Sequence, residues 1–269
     1  MSDPQPDPQP DPPTAPGRTA AVIPAAGRGV RLGPGAPKAL RTLGGVPMLV
    51  HAVRAMARAR AVSLVVVVAP PEEEAVAEVR ALCAQALGGA GTAGGTAPGA
   101  ELLVVPGGGT RQESVARGLA ALPADVDVVL VHDAARPLVP VATVDAVAAA
   151  VRAGAPAVVP ALPLADTVKQ IAPRTGAQED GAPEPVVATP ERALLRAVQT
   201  PQGFDRAVLA AAHEKIALAG EGATDDAGMV ERLGLPVVLV PGHEEAFKVT
   251  RPLDLVLAEA VLARREGQL

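Results

Sequence analysis

Short, unbroken apolar runs recur along this chain, and the segments between them carry helical periodicity; no other feature restricts the fold as tightly. The runs are AAVIP (20–24), SLVVVVA (63–69), ELLVV (101–105), DVVLV (127–131), PAVVP (156–160) and PVVLV (236–240). A strand with one wet face alternates apolar and polar residues, whereas a strand covered on both faces is apolar throughout, as in a parallel sheet flanked by helices. Within 47–60, Leu49, Val53 and Met56 share one stripe at helical spacing, and Arg60 continues the spacing. Over 71–87, Pro71 opens a helix and Glu72, Glu73 and Glu74 favour its positive end. The tetrad TRQE (110–113) is a capping box, with Thr110 as N-cap and Glu113 as its reciprocal partner. Further helices fit 143–153, 205–219, 225–233 and 252–265. Strand–helix alternation at this spacing specifies a three-layer α/β/α sandwich around a mostly parallel sheet, with ligands beyond the carboxyl ends of the strands.

Composition narrows the function classes. Across 269 residues, 24 Lys+Arg stand against 29 Asp+Glu, a net charge of −5 that disfavours nucleic-acid and anionic-membrane binding. Phe204 and Phe247 are the whole aromatic complement, too few for base-stacking platforms. Cys83 is alone, so neither an intramolecular disulfide nor a cysteine zinc site can form, and His51, His132, His213 and His243 make no HExxH. No apolar run approaches the length of a membrane span, and the N-terminus has no secretory signal pattern, so a soluble, cytoplasmic protein is expected. Residues 1–18 repeat DPQP and predict a disordered, Pro-rich tail, leaving 19–269 as a single domain with no room for a further one. Two stretches look like loop expansions, the Gly/Ala/Thr segment 88–100 and the polar, Pro-rich segment 173–185.

Chemistry concentrates in the loop after the first strand, PAAGRGVRLG (24–33), followed by Pro37 and Lys38. Gly27 and Gly29 let main-chain N–H groups approach an anion, and Arg28, Arg31 and Lys38 can neutralise a polyphosphate. A dinucleotide fingerprint starting at Gly27 needs glycine where Leu32 stands, and no P-loop GKS or GKT is present. A candidate ligand-facing carboxylate, Asp133, sits where the strand 127–131 ends.

With PKAL and LGGVPML just behind it, the first loop resembles the opening of the sugar-nucleotide pyrophosphorylase-like nucleotidyltransferases. Within them it is similar to the cytidylyltransferase family that acts on 2-C-methyl-D-erythritol 4-phosphate. The later landmarks keep that family's order: GGGTRQESV (107–115), VLVHDAARP (129–137), DTVK (166–169), QTPQGF (199–204), ATDDA (223–227) and FKVTRPLDL (247–255). The resemblance spans essentially residues 20–265. It implies a Rossmann-like nucleotidyltransferase sandwich with a protruding β arm over about 163–195. It also implies an enzyme that joins CTP to a polyol phosphate and releases pyrophosphate. No covalent intermediate is needed, so positioning and cations carry the catalysis.

The same resemblance assigns roles. Arg31 and Lys38 stabilise the transition state around the α-phosphate, with Pro24, Ala25, Ala26, Gly27 and Gly29 lining the nucleotide. Gly108, Arg111 and Ser114 read the base and ribose from a loop with free main-chain groups, and Asp133 with Ala134 beside it meets the nucleotide, the acceptor or a metal. Arg136, Thr200, Thr224 and Lys248 hold the acceptor, while Thr167 and Arg192 reach from the arm into the neighbour's acceptor site of a homodimer. Arg192 and Lys248 join Arg31 and Lys38 as the catalytic cations. Mg²⁺ or another divalent cation is required, with Asp133 its one named contact. His132 and Asp226 are read as structural, a strand-end histidine and a first-turn carboxylate, and Cys83 as a bystander. Two rivals share the scaffold. One is a ribitol 5-phosphate cytidylyltransferase, which the DAARP segment fits less well; the other is a silent sugar-nucleotide-binding regulator, which should have lost Arg31 and Lys38.

Overall fold

The structure is a computed structural model that describes residues 17–27, 37–88, 99–173, 181–219 and 225–267, with the side chains of 216–219 left aside. Arg28, Gly29, Arg31 and Thr224, the tail to residue 16, most of 88–100 and part of 173–185 lie outside the described residues.

In chain order the elements are β1 (Arg18–Pro24), β2 (Thr42–Leu43), β3 (Val46–Pro47), α1 (Met48–Ala57), β4 (Leu64–Ala69), α2 (Glu73–Gly88), β5 (Glu101–Pro106), α3 (Arg111–Ala120), β6 (Val126–Val131) and α4 (Val141–Arg152). They continue with β7 (Ala157–Pro163), β8 (Gln170–Ile171), β9 (Val186–Ala188), β10 (Arg196–Val198), β11 (Gln202–Asp205), α5 (Arg206–Ala219), α6 (Asp226–Arg232), β12 (Val237–Pro241) and α7 (Pro252–Arg265). The main sheet runs β10-β7-β11-β6-β1-β4-β5, with β12 parallel along the other edge of β7. The pairs β1–β4, β1–β6 and β4–β5 are parallel, and β11 lies antiparallel to both β6 and β7. Successive residues of β1 feed opposite cores. Ala21 and Ile23 pack in the layer with α1, α2 and α4; Ala20 and Val22 pack in the layer with α3, α5 and α6. Helix α3 lies hard against the sheet, since a Cβ on Gly118 would sit 2.6 Å from Val22 Cγ1. That close packing sets the α3 N-terminus beside the ends of β1 and β5.

The three-layer α/β architecture and all six sequence-read strands are present, with three adjustments at the edges. β1 starts at Arg18, inside the segment read as tail, because its guanidinium is anchored to Ser63, Glu101 and Asp125. α1 stops at Ala57, so Arg60 falls beyond it and pairs with Asp145 at 3.5 Å. α2 starts at Glu73 rather than Pro71. A further strand, β11, has a sequence (QGFD) too short and polar to signal one. It forms because β6 and β7 present unpaired edges on either side of it. The arm is an exposed antiparallel pair, β8 and β9, joined back to β7 through β10. Cys83 is buried, and burial pushes its thiol up to about 11, which suits an inert core residue. No helix among the described residues is long and apolar enough to cross a membrane.

Candidate active site

A cavity of about 200 Å³ opens at the carboxyl end of the sheet, where β1, β5 and β6 deliver their loops. It is lined by Pro24, Ala26 and Gly27 on one side, by Gly108–Arg111 with Ser114 on another, and by Asp133. The glycine loop is closed on itself. Thr110 Oγ1 accepts from Glu113 N–H (3.1 Å), and Glu113 Oε2 accepts from Gly109 N–H (2.7 Å). Ser114 Oγ donates to the Thr110 carbonyl (2.9 Å) and accepts from Gly108 N–H (3.2 Å). Only glycine fits at 108, where a Cβ would lie 2.4 Å from the Glu113 Cβ. The expectation of free main-chain groups is therefore corrected at these positions, because Ser114 and Glu113 use the N–H groups of Gly108 and Gly109.

Alternating charges run along the cavity. Asp133 takes Lys248 Nζ at 2.8 Å and Arg111 Nη2 at 3.6 Å, with Arg136 Nε at 4.0 Å. Burial raises the Asp133 carboxyl, but Lys248, Arg111 and Arg136 outweigh it and leave it at about 2, fully ionised at neutral pH. On its other side Arg111 meets Asp226 Oδ2 at 2.7 Å, and Asp226 Oδ1 meets His213 Nε2 at 3.0 Å. The Arg111–Asp226 contact is close yet off the line of a hydrogen bond, so its attraction is chiefly coulombic. Burial opposes the Asp226 charge, and His213 and Arg111 together hold its carboxyl below the ordinary value.

Beneath the cavity the HDAAR turn is pinned from within. His132 is fully buried; its Nε2 faces the Arg136 carbonyl at 3.2 Å and its Nδ1 faces Thr200 Oγ1 at 3.1 Å. A carbonyl only accepts, so Nε2 carries the proton and Nδ1 takes one from the threonine hydroxyl. Thr200 Oγ1 in turn accepts from Asp133 N–H at 3.0 Å. Burial pushes His132 down to about 4 from an ordinary 6.5. The unfolded chain thus binds a proton near pH 6.5 that the folded chain refuses until about pH 4, so stability rises with pH across that window. The expected loss on acidification is about 3 kcal/mol. Urea unfolding of the wild type and His132→Asn over pH 4–7 checks it, and equal slopes for the two would refute it.

Residues 19–264 match the family described as IspD: 2-C-methyl-D-erythritol 4-phosphate cytidylyltransferase. The chain belongs to this family. A Streptomyces coelicolor 2-C-methyl-D-erythritol 4-phosphate cytidylyltransferase is 70% identical over 252 residues, covering 93% of this chain and 87% of the relative. A Thermus thermophilus crystal structure bearing the same description superposes with a TM-score of 0.64 at 38% identity, covering 90% of this chain and 97% of that one. The 4-diphosphocytidyl-2C-methyl-D-erythritol synthase of Anaerococcus prevotii gives 0.73 at 26% identity, covering 91% and 96%.

Set against the roles the family resemblance implies, the fold brings together Pro24, Ala26, Gly27, Gly108, Arg111, Ser114 and Asp133 around the cavity, with Lys248 on Asp133. Ala25 and Ala134 are buried next to it, and Ala25 N–H donates to the Val68 carbonyl. Lys38 opens a single 3-10 turn, Lys38–Leu40, and is not among the residues lining the cavity. Arg136 is buried and its terminal nitrogens donate to the carbonyls of Ala246 (2.7 Å) and Val198 (3.2 Å), which ties the turn to the Lys248 segment and to β10. Its buried Nε has no hydrogen-bond partner and lies 4.0 Å from Asp133 Oδ2. The Thr200 hydroxyl is engaged by His132 and Asp133. Thr167 and Arg192 are exposed on the arm, where Arg192 donates to the Ala165 carbonyl, and neither lines the cavity.

Asp226 stands in the first turn of α6, as its sequence indicates, and is in addition the fully buried partner of Arg111, which that placement does not show. A signal existed in the doublet Asp225-Asp226. Asp225 already serves as N-cap of α6, accepting from Gly228 N–H at 2.9 Å, so a second carboxylate beside it requires a different partner.

Proposed function

We infer that this protein transfers CMP from CTP to 2-C-methyl-D-erythritol 4-phosphate, giving 4-diphosphocytidyl-2-C-methyl-D-erythritol and pyrophosphate for non-mevalonate isoprenoid synthesis. The observation that carries the reading is the ionised Asp133 at a strand end, flanked by Arg111 and Lys248 and facing a glycine-lined cavity, in a chain of this family.

In the proposed reaction a phosphate oxygen of the acceptor attacks the α-phosphorus of CTP in line. The bond from that phosphorus to the β-bridging oxygen breaks, and pyrophosphate leaves with its electron pair. Charge builds on the equatorial and leaving oxygens, so fixed cations supply the catalysis. Arg31 and Lys38 take the α-phosphate, and Lys248 takes the acceptor phosphate from its seat on Asp133. Arg111, held between two carboxylates, brings little net charge and serves as an oriented donor to the base or ribose. Asp133 fits a divalent cation held mostly by nucleotide phosphates, since it is ionised, partly open to the cavity and needs few companions in such a site. Mg²⁺ there would neutralise phosphate charge. The protein acts in the cytoplasm as a homodimer in this reading. The arm supports the dimer reading, for Val186, Val187 and Leu194 stand 55%, 58% and 77% exposed, apolar surface on it suited to cover by a second copy.

Incubation with CTP, Mg²⁺ and each acceptor, with pyrophosphate as the readout, tests the function. Release is expected with 2-C-methyl-D-erythritol 4-phosphate and is lost on chelation of the metal. A higher kcat/KM with ribitol 5-phosphate, or no acceptor-dependent release, would overturn it.

A further inference from the structure

A second, larger cleft of about 550 Å³ lies between α1, the loop after Arg136 and α7, and shares no lining residue with the nucleotide cavity. Its floor is the segment 137–141, apolar throughout. Its wall is cationic. Arg54 and Arg58 lie one turn apart on a single face of α1 and its C-cap, and Arg265 faces them from the end of α7. Arg265 is fixed in place, donating to the Leu138 carbonyl (2.7 Å) and to Glu245 (2.9 Å from Nε). Glu245 is shared with Arg264, so one carboxylate serves two guanidinium groups. Glu266 is the single acidic residue lining the cleft. Among the described residues, neither Arg54 nor Arg58 has a carboxylate partner.

This is an unusual concentration in a chain of net charge −5. Like charges sharing a concave surface raise one another's energy, and here the half-buried Arg54 lies one turn from the exposed Arg58. His51 lines the same cleft; burial chiefly holds its imidazole below the ordinary value and Arg54 adds to this, while the Leu43 carbonyl at 2.9 Å from Nε2, Glu266 and Glu259 act the other way. Guanidinium groups match phosphate oxygens in planar, bidentate fashion, and a cleft this size admits more than one phosphate unit. None of these residues touches the groups assigned to the reaction.

We propose that this cleft is a second anion-binding site for a small polyphosphate, formed by Arg54, Arg58 and Arg265 and separate from the nucleotide cavity. The inference rests on the cleft alone and does not require the transferase reading.

Calorimetric titration of inorganic pyrophosphate into the full-length protein, with CTP saturating and acceptor absent, tests it. Pyrophosphate should still bind with the nucleotide cavity filled, and Arg54→Ala with Arg58→Ala should raise its Kd by about tenfold or more. The Arg54→Gln, Arg58→Gln pair replaces the alanines if those fail to fold. Loss of all pyrophosphate binding under CTP, or an unchanged Kd in the double variant, overturns the proposal. A crystal soaked in tungstate gives an independent readout. Anomalous density among the three arginines supports the site, and density confined to the nucleotide cavity sinks it. Failure of CTP itself to bind would count against the transferase reading, and the tungstate position would still decide this one.

Discussion

Asparagine in place of Asp133 should leave a folded protein whose kcat/KM is lower by about 10²–10³-fold, the usual effect of removing a preorganised charge from an active site. The substitution keeps shape and removes the one negative charge on which Lys248 (2.8 Å), Arg111 (3.6 Å) and Arg136 (4.0 Å) converge. Steady-state kinetics with CTP and 2-C-methyl-D-erythritol 4-phosphate read the loss, and wild-type turnover would dismiss this cluster as the reacting centre. Acid stability gives a second readout. The folded carboxyl titrates at about 2 against an ordinary 3.8, so its contribution is complete above about pH 4 and is lost as pH falls towards 2. That contribution is about 2 kcal/mol by linkage, and it should be missing from the Asp133→Asn acid-unfolding curve.

The second large effect concerns Asp226. Asp226→Asn leaves Arg111 with its outer partner alone and unsettles His213, at an expected cost of about 3–5 kcal/mol in unfolding free energy. Arg111 then loses the contact that aims it. The KM for CTP should rise by about tenfold, with a smaller change in kcat, because an orienting contact is lost rather than a transition-state charge. Arg111→Met with Asp226→Leu should recover most of the stability while CTP binding stays weak, since apolar replacements remove both charges of the pair. An Asp226→Asn enzyme with unchanged KM for CTP would show that the pair is merely architectural.

Much of this site could be read locally. The Thr110 N-cap forms as its spacing dictates, with Oγ1 on Glu113 N–H, although the Glu113 side chain reaches back to Gly109 N–H rather than to that of Thr110, and Asp133 stands where its strand ends. What spacing did not reveal is how the hydroxyls and amides are used. The linear motif reads Ser114 and Thr200 as ligand contacts; in the fold Ser114 lines the cavity and also closes the glycine loop, and Thr200 also pins the Asp133 turn. Arg136 likewise gives its terminal nitrogens to carbonyls far along the chain. Polar groups in buried turns must be satisfied, and that demand engages side chains in ways their local sequence does not announce.

The chain itself determined the alternation of strands and helices, the direction of the parallel core and the loops that face a ligand. Apolar period, caps and glycine turns act between residues a few positions apart. Only the folded molecule decided that β11 would slot between β6 and β7, that Asp226 and Asp133 would grip Arg111 from two sides, and that Arg54, Arg58 and Arg265 would share a cleft. Those outcomes depend on distances between segments remote in sequence, which become defined only when the two cores pack against the sheet.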